Sequence, residues 1–262
     1  HHNHHRGGGI GRRGGGHHQG VRLYADSEHH YLHVYGPCGF TLPSAPPGGP
    51  ENRKALPVRH LQKEDPGFQA TNVVFMGMGE PMQNLEAIRK AVKILTHKDG
   101  RALSARRITL STSGIIKGIY DLADNGPAMR LAVSLTTADE ELRKELMPAA
   151  RTNPLSELRK AIDYYANKTG KRVTLEAALM SGVNTGDESA RNMIHFAEGI
   201  DVNINLIPWN PVGGLPFKEP DAAECKHFVT QLENAGLNVT LRTRRGRKIG
   251  GACGQLGKTG LK

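Results

Sequence analysis

Residues 71–81 read TNVVFMGMGEP. The first part of this stretch, residues 71–76, is mostly apolar or β-branched and has the length of one buried strand. The glycines that follow permit a tight turn and let a backbone approach a ligand closely. Glu80 then supplies a carboxylate, which can accept hydrogen bonds from ammonium or hydroxyl groups. The stretch predicts a buried strand ending in a ligand-binding turn, although a plain strand-to-helix turn would explain these residues taken alone.

Downstream of this stretch, short apolar segments alternate with segments of helical period. Alternation of this kind is typical of parallel βαβ units. About six units in about 180 residues predict an α/β fold, either an incomplete (β/α) barrel or an open doubly wound sheet, with ligands at the carboxyl ends of the strands. The predicted strands cover residues 71–76, 107–110, 131–134, 173–179, 202–207 and 239–241, and the predicted helices cover 84–95, 115–123, 139–147, 155–166, 188–198 and 222–235.

The composition changes near residue 70. Residues 1–20 are almost all His, Gly and Arg, and residues 36–67 are rich in Pro and Gly. Such segments cannot bury enough surface to offset the entropy of ordering them, and although His clusters can bind metal, the composition favours disorder. It is also the composition that out-of-frame translation of a G+C-rich gene gives. We therefore predict that residues 1–67 are a disordered, low-complexity or out-of-frame segment, and that the natural domain covers residues 71–256.

Charge and cysteine usage limit the classes of protein to consider. The net charge is +10, which favours an anionic partner such as nucleic acid. The three cysteines, Cys38, Cys225 and Cys253, are too scattered for a disulfide framework and indicate a reducing compartment. No apolar run is long enough to cross a bilayer, and residues 1–20 do not resemble a signal peptide. We expect a soluble, cytoplasmic monomer without membrane contacts.

Polar residues follow the other predicted strands. Residues 111–114 (STSG) either cap the next helix or hold a polar ligand, and residues 134–137 (SLTT) offer Thr136 or Thr137 as a cap. Residues 208–211 (PWNP) form a loop stiffened by two prolines that presents a tryptophan and an amide at the same edge. A buried tryptophan is the plainer explanation of that loop.

The last part of the chain combines positive charge with a cysteine. Residues 242–248 read RTRRGRK, and these cations either form a solvated face or bind phosphates. Cys253 follows within IGGACGQL at residues 249–256. Electropositive, glycine-rich surroundings favour a reactive thiolate, so a nucleophilic role is possible for this cysteine.

Four motifs taken together resemble one family. VVFMGMGEP, RRITLSTSG, NLIPWNP and ACGQL occur in the order and with the spacing of the radical-SAM adenine-C2 RNA methyltransferases of the RlmN and Cfr type. The resemblance covers roughly residues 71–256 and implies an incomplete (β/α) barrel of the radical-SAM type. It implies methylation of carbon 2 of adenine in 23S ribosomal RNA and, in the RlmN branch, in transfer RNA.

The resemblance also implies cofactors and roles for single residues. The cofactors are S-adenosylmethionine and a 4Fe–4S cluster, which needs an electron donor, and Cys253 is the catalytic residue that carries the methyl group. The implied contacts to S-adenosylmethionine are Gly79, Glu80, Ser111, Ser134, Leu135, Thr136 and Asn210. The cations that would bind RNA are Arg242, Arg244, Arg245, Arg247 and Lys248.

Three features depart from the family pattern. The CxxxCxxC motif of the cluster is absent, since Cys38 has no cysteine neighbour at ligand spacing. The family's second, resolving cysteine has no counterpart, and Thr136 stands where the family usually has histidine. We therefore predict no metal site in the chain as printed, because three cysteine thiolates are needed for the cluster.

Two other functions remain open at this stage. The chain could be a non-catalytic barrel that binds S-adenosylmethionine or RNA. It could also be a barrel enzyme for a phosphorylated metabolite, although ACGQL has no use in such an enzyme and no strand end carries a Schiff-base lysine. Cys225 is predicted to be a packed thiol on an amphipathic helix. Glu176, inside a predicted strand, could point into the barrel.

Overall fold

The computed structural model describes residues 22–26, 31–35, 71–76, 79–99, 102–211 and 215–242. In this part of the chain, eight strands form one sheet in which they lie side by side in chain order. β1 and β2 pair antiparallel, and each later pair of neighbours is parallel. The strands are β1 (Arg22–Asp26), β2 (Tyr31–Tyr35), β3 (Asn72–Phe75), β4 (Ile108–Thr112), β5 (Arg130–Ser134), β6 (Val173–Leu179), β7 (Val202–Pro208) and β8 (Asn238–Leu241).

Helices connect the parallel strands from β3 onward. The strand order never reverses, so right-handed crossovers place these helices on the same face of the sheet. A doubly wound sheet would require a reversal of strand order, and that alternative is wrong. The incomplete (β/α) barrel predicted from the sequence is confirmed. The helices are α1 (Leu85–Thr96), α2 (Ile116–Asn125), α3 (Glu140–Leu146), α4 (Leu155–Thr169), α5 (Asp187–Ala197) and α6 (Ala222–Asn234).

The two faces of the sheet differ in chemistry, as β6 shows. Leu175, Ala177 and Leu179 are buried and belong to the same apolar core as Leu158 and Ile162 of α4. The alternate residues of β6, which point to the opposite face, are only partly buried and include a glutamate. We call the helix-covered side the outer face and the other side the inner face. The inner face is where polar side chains can meet a ligand.

The structure differs from the sequence prediction within residues 1–67. β2 pairs in parallel with β3, so residues 22–26 and 31–35 extend the same sheet as the barrel strands. Residues 1–20 and 36–67 have the biased composition, whereas YLHVY contains two tyrosines and a valine, which favour strands, and RLYAD contains one tyrosine. The structure thus describes two strands within residues 1–67, and the prediction of a disordered, low-complexity or out-of-frame segment over residues 1–67 stays a prediction. The rest of residues 1–67 lies outside the described residues.

Local signals set the ends and lengths of the helices. The Asp139 side chain caps α3 by accepting a hydrogen bond from the Leu142 amide at 2.9 Å. The expected cap by Thr136 or Thr137 is therefore wrong. α4 ends where Gly170 adopts a left-handed conformation with φ of +66°. None of the helices in the described ranges is long and apolar enough to span a membrane.

Candidate functional site

The residues predicted to contact a cofactor lie along one edge of the sheet. Glu80 follows β3, Ser111 lies one residue from the end of β4, Ser134 ends β5, and Asn210 follows β7. Gly79, Leu135 and Thr136 are their direct neighbours in the chain. Because β3 to β7 are parallel, their carboxyl ends meet at the same edge. The structure thus brings together all seven positions, which are separated by up to about 130 residues of sequence.

Glu80 is buried and fully hydrogen-bonded by the chain itself. Its Oε1 accepts from the Met82 amide at 3.0 Å and the Thr112 hydroxyl at 2.8 Å. Its Oε2 accepts from the Ser113 amide at 2.8 Å and the Ser113 hydroxyl at 2.6 Å. A carboxylate has about four acceptor positions, so this one is filled. Glu80 therefore fastens the turn after β3 to the end of β4, and its contact with a cofactor ammonium group remains a prediction.

We expect Glu80→Gln to lower the free energy of unfolding by about 2 kcal/mol, because an amide NH₂ would face donors that now share a carboxylate oxygen. Urea unfolding followed by circular dichroism measures this change. Glu86→Gln is the matched control, since Glu86 is exposed and its carboxylate forms a surface ion pair with Lys90. An unchanged unfolding midpoint for Glu80→Gln would contradict the structural role of this carboxylate.

The hydroxyls at the end of β4 divide between two uses. Thr112 and Ser113 donate to Glu80, and Thr112 Oγ1 also accepts from the amides of Gly114 and Ile115 at 3.1 and 3.4 Å. Ser111 lies on the inner face and forms no side-chain hydrogen bond within the described part of the chain. Thr112 and Ser113 thus serve the turn, and Ser111 is the hydroxyl still available to a ligand.

The backbone around Thr136 is held in an unusual conformation. Thr136 has a positive φ of 63°, which costs energy for a residue with a side chain. Its carbonyl accepts from Asn184 Nδ2 at 2.9 Å, and its amide donates to the Glu176 carbonyl at 3.0 Å. The buried Asn184 also donates to the Ala178 carbonyl at 2.8 Å and accepts from the Met180 amide at 2.7 Å. Asn184 therefore positions the loop after β5, a role that the sequence analysis missed.

The Arg143 side chain joins the carboxyl ends of β4 and β5 by hydrogen bonds. Its side chain is fully buried, and Nη2 donates to the carbonyls of Ser113 at 2.8 Å and Ser134 at 3.5 Å. Nε donates to the Leu135 carbonyl at 3.1 Å, and Nη1 to the Asn153 carbonyl at 3.4 Å. Burial lowers the pKa of Arg143 to about 10, although the Glu140 charge opposes this shift. The guanidinium therefore remains charged at neutral pH and supplies all these donors.

Two buried polar atoms after β7 lack partners among the described residues. They are Trp209 Nε1, a donor, and Asn210 Oδ1, an acceptor. The indole ring packs edge-on against the Phe217 ring, with 5.5 Å between the ring centroids. This packing accounts for the burial of the ring but gives its N–H group no hydrogen-bond partner. Buried polar groups are nearly always hydrogen-bonded. S-adenosylmethionine carries both donors and a carboxylate, so the donor and acceptor at this edge fit that cofactor.

The cysteines of this chain do not fit a 4Fe–4S cluster. Cys225 lies on α6 and is buried in the apolar core with Phe228 and Leu232, as the sequence predicts. Burial raises the pKa of its thiol, which disfavours the thiolate that iron needs. Because the chain has three cysteines, at most two remain for a cluster that needs three. The described residues also contain no group of three potential metal ligands.

The C-terminal residues of interest are described only at their start. Arg242 follows β8, is exposed, and its amide donates to the Leu206 carbonyl at 2.9 Å. The other predicted RNA-binding cations and the catalytic cysteine lie outside the described residues, namely Arg244, Arg245, Arg247, Lys248 and Cys253. Their roles therefore stay predictions.

The comparisons with known proteins agree with this fold. Residues 38–197 match the model of the radical SAM superfamily, and the chain belongs to that superfamily. A probable dual-specificity RNA methyltransferase RlmN from Treponema denticola is 60% identical over 200 residues, which are 76% of this chain and 57% of the relative. One from Desulfitobacterium hafniense is 44% identical over 196 residues, which are 75% and 55% of the two chains. The resemblance to the RlmN type is thereby confirmed.

A solved structure gives the same result. The crystal structure of a radical SAM methyltransferase from Sphaerobacter thermophilus is 40% identical, with a TM-score of 0.72, over 76% of this chain and 58% of that one. The chain thus spans about half the length of the curated relatives that it matches. The superfamily match begins at Cys38. This position lies within residues 1–67, the segment that the composition separates from the predicted domain at residues 71–256.

Proposed function

We propose that this chain is the barrel of an enzyme that methylates carbon 2 of adenine in 23S ribosomal RNA and in transfer RNA, with S-adenosylmethionine as methyl donor. One observation carries the proposal. Seven predicted cofactor contacts, on the ends of four strands, lie along one edge of the sheet. Relatives at up to 60% identity are named RNA methyltransferases, which supports an RNA substrate. The proposal also includes a cytoplasmic location and a separate electron donor.

Cys253 is the proposed methyl carrier. Its thiolate attacks the methyl carbon of S-adenosylmethionine, so a new sulfur–carbon bond forms while the bond to the sulfonium breaks and S-adenosylhomocysteine leaves. The proposed reaction requires this cysteine to reach both a cofactor and an RNA base, and the sequence places glycines at 250, 251 and 254, a residue type with few backbone restrictions. Arg242, with the cations at residues 244–248, provides positive charge to hold the RNA phosphates.

Transfer from the cysteine to adenine needs more than these residues. The C2–H of adenine is not acidic and its carbon is electron-poor, so polar chemistry is unfavourable and a cofactor must supply the reactivity. The cluster expected for the superfamily lacks ligands in this chain. No step through a cluster is therefore derived for it.

We expect the purified chain, as printed, to contain no iron–sulfur cluster and to form no methylated adenine. Iron analysis, visible absorption and label transfer from methyl-labelled S-adenosylmethionine to RNA measure this. The control is the same assay on the full-length Treponema denticola relative. A brown protein with stoichiometric iron, or labelled adenine from the printed chain, would contradict the expectation.

The function itself is tested with a chimera in which residues 71–262 follow the upstream part of the Treponema denticola relative. We expect this chimera to produce 2-methyladenine in ribosomal RNA and transfer RNA. A chimera that assembles a cluster and binds S-adenosylmethionine but never methylates RNA would favour the alternative, a non-catalytic binding barrel. No observation in the described residues favours an enzyme for phosphorylated metabolites.

A further inference from the structure

A row of polar side chains crosses the inner face of the sheet. The register aligns Ser134 of β5 with Glu176 of β6, Glu176 with Asn205 of β7, and Asn205 with Thr240 of β8. The proposed function assigns a role to Ser134 alone. Asn205 is buried, Ser134 and Glu176 are partly buried, and Thr240 is exposed. A buried side-chain amide is costly unless its groups are hydrogen-bonded.

Glu176 has acceptor capacity that the described part of the chain does not use. Its carboxylate accepts one side-chain hydrogen bond there, from Asn205 Nδ2 to Oε1 at a long 3.2 Å. A carboxylate offers about four acceptor positions, so Oε2 in particular is available. Burial raises the pKa of Glu176 above its ordinary value, and the Arg242 charge and the Asn205 hydrogen bond oppose this shift only in part.

The position of Glu176 makes it reachable from the cofactor edge. Its main-chain carbonyl accepts from the amides of Leu135 at 2.8 Å and Thr136 at 3.0 Å, so it is tied directly to the predicted cofactor loop. The next inner-face residue toward the strand's carboxyl end is Ala178, whose side chain is a single methyl group. Glu176 itself is only partly buried. A ligand at the edge can therefore reach it.

We propose that Glu176 and Asn205 bind the amino edge of an adenine base. The inference rests on the proposed function, which brings two adenines to this barrel, one in S-adenosylmethionine and one in RNA. Adenine presents an exocyclic amino donor beside a ring-nitrogen acceptor. Glu176 accepts from the amino group, and the second N–H of the Asn205 amide donates to the ring nitrogen. A guanine or hypoxanthine would place a carbonyl oxygen against the carboxylate and is disfavoured.

The test compares 6-amino with 6-oxo ligands on the full chain by equilibrium dialysis. The first arm uses S-adenosylmethionine and its inosine analogue. The second arm uses a short RNA hairpin with one unpaired adenine, and the same hairpin with inosine at that position. We expect the unaltered chain to prefer the 6-amino ligand roughly tenfold in at least one arm, as one well-placed hydrogen-bond pair provides. The arm that shows this preference identifies which adenine the subsite takes.

The variant Glu176→Gln keeps the side-chain size and replaces one carboxylate oxygen by a donor. We expect it to remove the preference, because its amide can bind either an amino group or a carbonyl. Glu188→Gln, an exposed change on α5, is the matched control and should keep the full preference. Circular dichroism of each variant verifies folding, and the comparison of ligands on the unaltered chain requires no variant.

The outcomes separate this inference from the proposed function. Binding that ignores the 6-amino group, or a preference that survives in Glu176→Gln, overturns the inference and leaves the proposed function standing. Failure of the unaltered chain to bind either S-adenosylmethionine or RNA contradicts the proposed function, and the inference falls with it. A preference lost specifically in Glu176→Gln supports both.

Discussion

Replacing Arg143 with methionine is expected to lower the free energy of unfolding by about 3 kcal/mol. The substitution keeps an apolar chain of similar length but removes the guanidinium hydrogen bonds to the carbonyls of Ser113, Ser134, Leu135 and Asn153. The Leu135 carbonyl still accepts from the Thr137 amide at 2.7 Å, so the other three carbonyls account for most of the loss. Each buried carbonyl without a partner costs about 1–3 kcal/mol. The sum is reduced because methionine avoids the desolvation of a buried guanidinium, the same cost that lowers the pKa of Arg143 to about 10.

Urea unfolding with circular dichroism measures this effect. Arg191→Met on the exposed face of α5 is the matched control, and we expect no measurable change there. Because Arg143 holds Ser134 and Leu135, its loss should also weaken S-adenosylmethionine binding, whereas the control should not. Equal unfolding midpoints for the two variants would show that Arg143 does not join the strand ends.

Replacing Cys253 with alanine in the chimera that carries the upstream part of the relative should reduce adenine methylation to background. The proposed reaction requires a sulfur atom that accepts the methyl group, and alanine offers none. Cys225→Ala is the matched control, since it removes a thiol that is packed in the core. We expect that control to retain methylation within about twofold, with a modest loss of stability.

Liquid chromatography with mass spectrometry of digested RNA measures 2-methyladenine for both variants. Iron content and S-adenosylmethionine binding show whether Cys253→Ala still assembles its cofactors. Methylation at an unchanged rate in Cys253→Ala would remove this cysteine from the reaction.

The fold could be predicted from the sequence because its signals are local. Each short apolar strand precedes a helix of regular period, and the alternation requires no knowledge of distant contacts. The order of the strands then follows from short right-handed connections. β1 and β2 were missed for the opposite reason. These two short strands are recognisable only through the pairing of β2 with β3. More than thirty residues of sequence separate β2 from β3, so no local pattern indicates this pairing.

The site was predicted in its positions but not in its contacts. Residues at strand ends can be assigned to one edge once the strands are parallel. The hydrogen bonds of Glu80, Arg143 and Asn184 join segments that lie 30 to 48 residues apart. No local pattern marks an arginine on a short helix as the donor to four carbonyls. The partner of Glu176 could not be predicted from the sequence either, because only the register between β6 and β7 places Asn205 beside it.

The central claim is that Cys253 carries the methyl group between S-adenosylmethionine and adenine. The most direct measurement supplies methyl-deuterated S-adenosylmethionine to the cluster-bearing chimera and follows the peptide with Cys253 by mass spectrometry. We expect the deuterated methyl group to appear on the Cys253 sulfur first and on carbon 2 of adenine afterwards. Labelled adenine that forms while Cys253 stays unmethylated at every time point would contradict it.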